Sequence, residues 1–185
     1  MIKDKLAPAL SNRKVNALQK EDALQTTDEF SPFYQKYFEP VYRYLYSRLG
    51  NTQDAEDLCS QTFVQAYQSF HSLRNPERFA PWLFKIARNK LNDFWRKQKP
   101  SLYLDEGLLQ FSAPDPHSQA EISERLQKMA MLIHGLTEQE QELIRLRYLA
   151  ELNFREISKI LGKSESAVKK ALYRLLAQLQ NQMES

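Results

Sequence analysis

The chain has 185 residues, room for one domain or two small ones, and its 26 leucines against 4 valines favour helices over sheet. Its single cysteine, Cys59, excludes an internal disulfide framework and a cysteine-based zinc site. A net charge of +3 excludes a global polycation, so a nucleic-acid surface has to come from local clustering.

Residues 1–28 are mixed polar, with Pro8 and no sustained period, and are expected to form a mobile arm. The opening MIKDKLAPALSNRKVN has charges but no apolar segment of a secretory signal. No apolar run reaches the roughly 18 residues of a membrane span. A cytoplasmic protein without membrane insertion is therefore expected. From Phe30 the stretch SPFYQKYFEPVYRYLYSRLG places Phe33, Tyr37, Val41, Tyr44 and Leu45 at helical spacing. Pro40 is positioned to bend this helix, and Gly50 with Asn51 to stop it.

The second helix is TQDAEDLCSQTFVQAYQSF, with Thr52 as a predicted N-cap and Asp54, Glu56 and Asp57 near the first turn. Leu58, Thr62, Tyr67 and Phe70 lie near one side. HSLRNPERFA breaks the pattern at Asn75-Pro76. A third helix follows in FAPWLFKIARNKLNDFWRKQK, with Pro81 in its first turn, where a missing N–H does no harm. It is rich in both rings and cations, and helical projection separates most of them. Trp82, Leu83, Ile86, Ala87 and Phe94 make an apolar stripe headed by Phe79. Lys85, Arg88, Asn89, Asn92 and Arg96 make a second, basic stripe, a candidate surface for phosphates and bases. Trp95 falls on neither stripe.

Residues 100–119 carry three prolines, a glycine and no clear period, and are expected to be a linker. Beyond it, AEISERLQKMAMLIHG is amphipathic. LTEQEQELIRLRYLA opens with the capping-box spacing Thr137–Glu140, and NFREISKILG with Asn153–Glu156. Gly162-Lys163-Ser164 is a very short turn before SESAVKKALYRLLAQLQNQ, which makes a helix-turn-helix candidate. In its first helix, Ile157, Ile160 and Leu161 should face inward, and Gly162 permits the sharp turn. In its second, Val168, Leu172, Leu175 and Leu179 cluster on one side. Ser166, Lys169, Lys170, Tyr173 and Arg174 fall opposite, where a major groove would meet them. Arg147 is placed to hold a phosphate. The predicted fold class is all-α, with two small helical domains joined by a flexible linker. The boundaries are an arm at 1–28, a first domain at 29–99, the linker at 100–119 and the helix-turn-helix domain at 120–185.

Enzyme motifs are missing. His71, His117 and His134 are isolated, so no metal cluster is expected, and neither G-x-x-x-x-G-K-[ST] nor G-x-G-x-x-G occurs. No cofactor and no catalytic residue are assigned. The acids at Asp54–Asp57 either complement a helix N-terminus or dock a basic partner; spacing prefers neither.

DAEDLCSQTFVQAYQSF followed by FAPWLFKIARNKLNDFWR resembles region 2 of bacterial RNA polymerase sigma factors, in the extracytoplasmic-function (ECF) subgroup that keeps regions 2 and 4. LTEQEQELIRLRYLAELNFREISKILGKSESAVKKALYRLLAQL resembles region 4. The resemblance implies a promoter-recognition subunit and not an enzyme. It implies that Asp54, Glu56, Asp57 and Gln61 dock on the β′ clamp helices of core RNA polymerase, with further contact to the β subunit. The loop Leu73, Arg74, Asn75, with Ser69 and Asn89, would receive a flipped base of the −10 element. The basic stripe, Lys85, Arg88, Asn92 and Arg96 included, would hold the −10 strand. Ser166, Lys169, Lys170, Tyr173 and Arg174 would read the −35 element of promoter DNA, with Arg147 on the backbone. An anti-sigma factor is a further implied partner. Ser60, Gln61, Lys163 and Ala171 depart from the common family pattern. The alternative is a stand-alone LuxR-like helix-turn-helix regulator, since such regulators share a similar C-terminal string.

Overall fold

A computed structural model describes residues 17–97 and 119–184, and all regular structure among them is helical. Helix α1 spans Ala17–Leu49, 33 residues and about 50 Å at the α-helical rise. It runs through residue 28, where the end of an arm was expected. The segment ALQKEDALQ is made of good helix formers, and it extends an existing helix without needing a new nucleus. Residues 1–16 lie outside the described residues. Pro32 and Pro40 sit inside α1, and Gly50, at φ 73°, closes it with its N–H on the Tyr46 carbonyl at 2.9 Å.

Helix α2 spans Thr52–Gln68. Its N-cap is Asn51, not Thr52. Asn51 has the extended backbone a cap needs, and its Oδ1 accepts from the Asp54 N–H at 2.8 Å. Its Nδ2 also donates to Asp54 Oδ2 at 2.7 Å, so this acid serves the cap. Two short 3₁₀ turns, Phe70–Ser72 and Pro76–Arg78, lead to helix α3 at Phe79–Lys97.

These three helices close on a ring cluster. Phe30 meets Tyr67 and Phe70 edge-on at 5.4 and 5.3 Å, and Phe33 stacks on Phe79 at 4.3 Å. The buried side of α3 is broader than the predicted stripe. Leu83, Phe84 and Ala87 are its most enclosed residues, followed by Phe79, Ala80 and Leu91, while Trp82 and Phe94 are only half-buried. The reason is tertiary: α3 is covered by α1 and α2, and also by a helix of the C-terminal region. Phe84 lies edge-on to Tyr44 of α1 at 5.5 Å.

The C-terminal region contains α4 (Gln119–His134), α5 (Glu138–Ile144), α6 (Phe154–Leu161) and α7 (Glu165–Glu184). Residues 98–118 are outside the described residues, and with them nearly all of the expected linker. Both capping boxes form: Thr137 with Glu140, and Asn153 with Glu156. Gly162 adopts the left-handed conformation, φ 65°, at the turn between α6 and α7. One prediction needs correction. The helix begun at Thr137 does not stay α-helical to Ala150; it widens into a π-turn at Arg145–Leu149, where the Ala150 N–H reaches the Arg145 carbonyl at 2.9 Å. Glu151 follows at φ 56°, an uncommon conformation for a residue with a Cβ.

The two regions pack on each other. Helix α3 lies against α6, and α1 against the π-turn. Leu83, Phe84 and Leu91 of the first region join Leu143, Leu146 and Ile157 of the second in one continuous apolar cluster.

Candidate nucleic-acid interface

Helix α7 is built as projection requires. Val168, Leu172, Leu175 and Leu179 are buried, and Ser166, Lys169, Lys170, Tyr173 and Arg174 are exposed. Ser164 precedes the helix, its Oγ accepting the Ala167 N–H at 3.2 Å. Tyr173 is 54% exposed, an uncommon setting for a ring, with Phe154 at 6.1 Å and the Lys169 ammonium at 5.9 Å. The anchored side fixes the helix, and the free side offers two ammoniums, a guanidinium, a hydroxyl and a phenol. These are groups that reach phosphates and base edges.

Arg147, expected to hold a phosphate, has partners within its own domain. Its Nη1 donates to the Leu152 carbonyl at 2.9 Å, and its guanidinium lies 5.2 Å from the Phe154 ring. It braces the entry to α6. The π-turn aims the side chain back into its own domain, which a helical wheel does not anticipate.

On α3, Lys85, Asn89, Asn92 and Arg96 are exposed, and Arg96 also pairs with Asp93 at 2.8 Å. Arg88 differs from the rest of its stripe. Its Nε meets Glu142 Oε1 at 3.0 Å, and its Nη1 donates to the Ile160 carbonyl at 3.2 Å. Glu142 is buried, and the Tyr44 hydroxyl donates to the same Oε1 at 2.9 Å. Burial pushes the Tyr44 phenol well above its ordinary range, and the facing Glu142 carboxylate reinforces this.

The expected base pocket is only partly assembled. Asn75 is occupied as a cap, accepting the Glu77 N–H at 2.8 Å, and Leu73 packs against the core. Arg74 is exposed. Ser69 lines an open groove of about 520 Å³ between α2 and α3, together with Ser60, Gln61, Gln65, Gln68 and Lys90. Asn89 is not among its lining residues. Lys90 is, and projection did not single it out, because it lies off the basic stripe. Glu142 and Tyr44 were also missed as polar partners. The available signal was an acid at position 142 beside Leu143 in an apolar register.

On α2, Glu56, Asp57 and Gln61 are exposed, and Asp54 is half-buried at its cap. Cys59 is fully enclosed. Burial pushes its thiol up to about 12, with Glu39 and Glu56 adding to the effect, so it stays protonated and inert at neutral pH. Among the described residues no group of His, Cys, Asp and Glu is arranged to hold a metal ion, and no helix is long and apolar enough to cross a membrane.

Comparison with known proteins agrees with this layout. Residues 33–100 match the family model for sigma-70 region 2, and residues 126–179 that for sigma-70 region 4. The chain is 37% identical over 153 residues to the ECF RNA polymerase sigma factor SigM of Bacillus subtilis, an alignment covering 80% of this chain and 90% of SigM. It is 33% identical over 156 residues to the ECF sigma factor BldN of Streptomyces coelicolor, covering 82% of this chain but 59% of BldN. In fold it is similar to CnrH, solved with the cytosolic domain of CnrY, at TM-score 0.59 and 22% identity, covering 88% of this chain and 94% of CnrH. It is likewise similar to the sigma factor RpoE of Bartonella quintana, solved with the anti-sigma factor NepR, at TM-score 0.59 and 19% identity, covering 84% and 97% of the two chains. A LuxR-like regulator is not favoured, because the N-terminal helices match region 2. With both regions matched in this order, and a relative this similar over most of its length, the chain belongs to the ECF family of RNA polymerase sigma factors.

Proposed function

We propose that this chain, as an ECF sigma factor, directs core RNA polymerase to promoters by reading two elements with two separate faces. The observation that carries this is the pair of exposed polar helix faces on different regions: Lys85, Asn89, Asn92 and Arg96 on α3, and Ser166, Lys169, Lys170, Tyr173 and Arg174 on α7. Helix α7 reads the −35 element in the major groove, and Arg147 supports the domain that presents it. The α3 face holds the opened −10 strand. Ser69 and the loop at Leu73, Arg74 and Asn75, with Asn89, take up an unstacked base, and the Ser69 groove adds Lys90 and Gln65 to that surface. Glu56, Asp57 and Gln61, with Asp54 at the cap, form the acidic side of α2 that docks on the β′ clamp helices, and the C-terminal region contacts the β subunit. The factor works in the cytoplasm, without catalysis of its own. An anti-sigma factor is a fitting regulator, since two proteins of similar fold were solved with such a partner or a cytosolic domain bound.

The test is pull-down with core polymerase from the same organism, followed by run-off transcription and sequencing of the transcripts. Association and start sites sharing two spaced elements are expected. No association, or no transcript from any enriched promoter, overturns the reading.

A further inference from the structure

Tyr173 sits in the middle of the exposed face of α7. In helical projection it falls between Lys169 and Lys170, four and three residues earlier. Its ring is 54% exposed, yet it is not a loose side chain. Phe154, the first residue of α6, adjoins it at 6.1 Å with the two rings tilted by 55°. Phe154 in turn carries the Arg147 guanidinium, 5.2 Å from its ring centre. A π-turn, α6 and α7 thus each supply one member of a continuous contact chain, Arg147 to Phe154 to Tyr173.

Each member is pinned from its own side. Arg147 Nη1 donates to the Leu152 carbonyl at 2.9 Å. The capping box fixes the first turn of α6: Glu156 Oε2 accepts the Asn153 N–H at 2.8 Å, and Asn153 Oδ1 accepts the Glu156 N–H at 2.9 Å. Phe154 itself packs against the core. The Lys169 ammonium, 5.9 Å from the Tyr173 ring, adds a weak attraction within α7. The chemistry of duplex DNA narrows what such a ring can read. Stacked base pairs hide their faces, so a side chain on a major-groove helix meets only base edges. Those edges present hydrogen-bonding groups and one apolar feature, the C5-methyl of thymine. A ring already held in place gives up little freedom on contact, which favours a selective contact. We propose that Arg147 and Phe154 brace the Tyr173 ring as the reader of one thymine methyl in the −35 element. Arg147 is then a positioning residue for sequence preference and not a phosphate contact.

This inference rests on α7 reading the −35 element, as the preceding reading has it. The experiment uses the full chain with core polymerase and a promoter duplex recovered by transcript sequencing. Each thymine of its −35 element, on either strand, is replaced in turn by deoxyuridine, which removes only the methyl. At one position the replacement should weaken holoenzyme binding about fourfold, the value of one buried methyl group. Tyr173→Phe should keep this thymine preference and Tyr173→Ala should abolish it. Phe154→Leu preserves apolar bulk and should reduce the preference, while Phe154→Tyr, which restores a ring, should retain it. Arg147→Gln should reduce the preference and leave the salt slope of binding unchanged, whereas loss of a phosphate contact lowers that slope by about one. No uracil effect at any position, or a −35 element without thymine on either strand, overturns the inference. So does a uracil effect that persists in Tyr173→Ala or vanishes in Tyr173→Phe. A full preference in both Phe154→Leu and Arg147→Gln overturns the brace. If no promoter is recovered, the two-element reading fails and this inference falls with it; promoters without a uracil effect overturn this inference alone.

Discussion

The Tyr44 hydroxyl and the Glu142 carboxylate meet at 2.9 Å across the boundary between regions 2 and 4. Tyr44 is 1% exposed, so its hydroxyl has no ready exchange with water. Tyr44→Phe should therefore lower stability by about 1 kcal/mol, the net value of a typical internal hydrogen bond. The urea midpoint measures this. A shift too small to resolve would mean that water replaces the phenol.

Alkaline pH should weaken the fold through Cys59. Its folded pKa is raised from 9.0 to about 12 because burial disfavours the thiolate. The stabilisation is thus complete below pH 9 and declines as pH rises toward 12. Tyr44 is raised in the same sense, chiefly by burial, and adds to the loss above its ordinary range. Denaturation midpoints across this window should fall, and less steeply for Cys59→Ala. At neutral pH a thiol reagent should label Cys59 only as the chain unfolds.

The capping box at α5 gives an acid-side prediction. Glu140 is held below its ordinary pKa by the Thr137 hydroxyl and then by the Thr137 N–H, which lie 2.7 and 3.0 Å from its Oε2. Its contribution is present above the ordinary carboxylate range and is lost as pH falls through the lowered value. Thr137→Ala should cost about 1 kcal/mol at neutral pH and less in acid. Thermal melts at the two pH values compare them.

Gly162→Ala isolates a backbone effect. No atom lies within 4 Å of a Cβ added there, so no clash contributes. The left-handed φ of 65° alone should cost about 1–2 kcal/mol. A smaller loss is expected for Gly162→Asn, which tolerates this conformation better. Equal losses in the two variants would point to a cause other than the backbone.

The two proposed DNA faces should separate in transcription assays. Lys169→Ala should weaken −35-dependent initiation and lower the salt slope of holoenzyme binding by about one charge. Lys85→Ala should leave duplex binding through the −35 element in place and slow promoter opening. Footprinting followed by permanganate reactivity of the opened strand distinguishes them. Identical defects for both variants would contradict two separate roles.

Local order in this protein was written locally. Thr137 with Glu140, Asn153 with Glu156, the turn at Gly162 and the buried row from Val168 to Leu179 all depend on residues within a few positions of one another. Their spacing alone specifies caps, a left-handed turn and an amphipathic helix. Thr52 is not the cap because Asn51, one residue earlier, accepts the Asp54 N–H with its side chain. The weak apolar period of residues 17–28 suggests an arm, although their helix propensity is not weak.

By itself, then, the sequence determined the helical class, the helix-turn-helix and the two candidate DNA faces. Only the tertiary structure decided which of those side chains are free. Arg88 faces Glu142 and the Ile160 carbonyl, Arg147 turns back to the Leu152 carbonyl, and Phe84 and Leu91 are buried in a cluster that also holds residues of the other region. A helical wheel gives each residue a direction. It does not say what stands in that direction when the facing element comes from far along the chain, or when a π-turn rotates the helix beneath it.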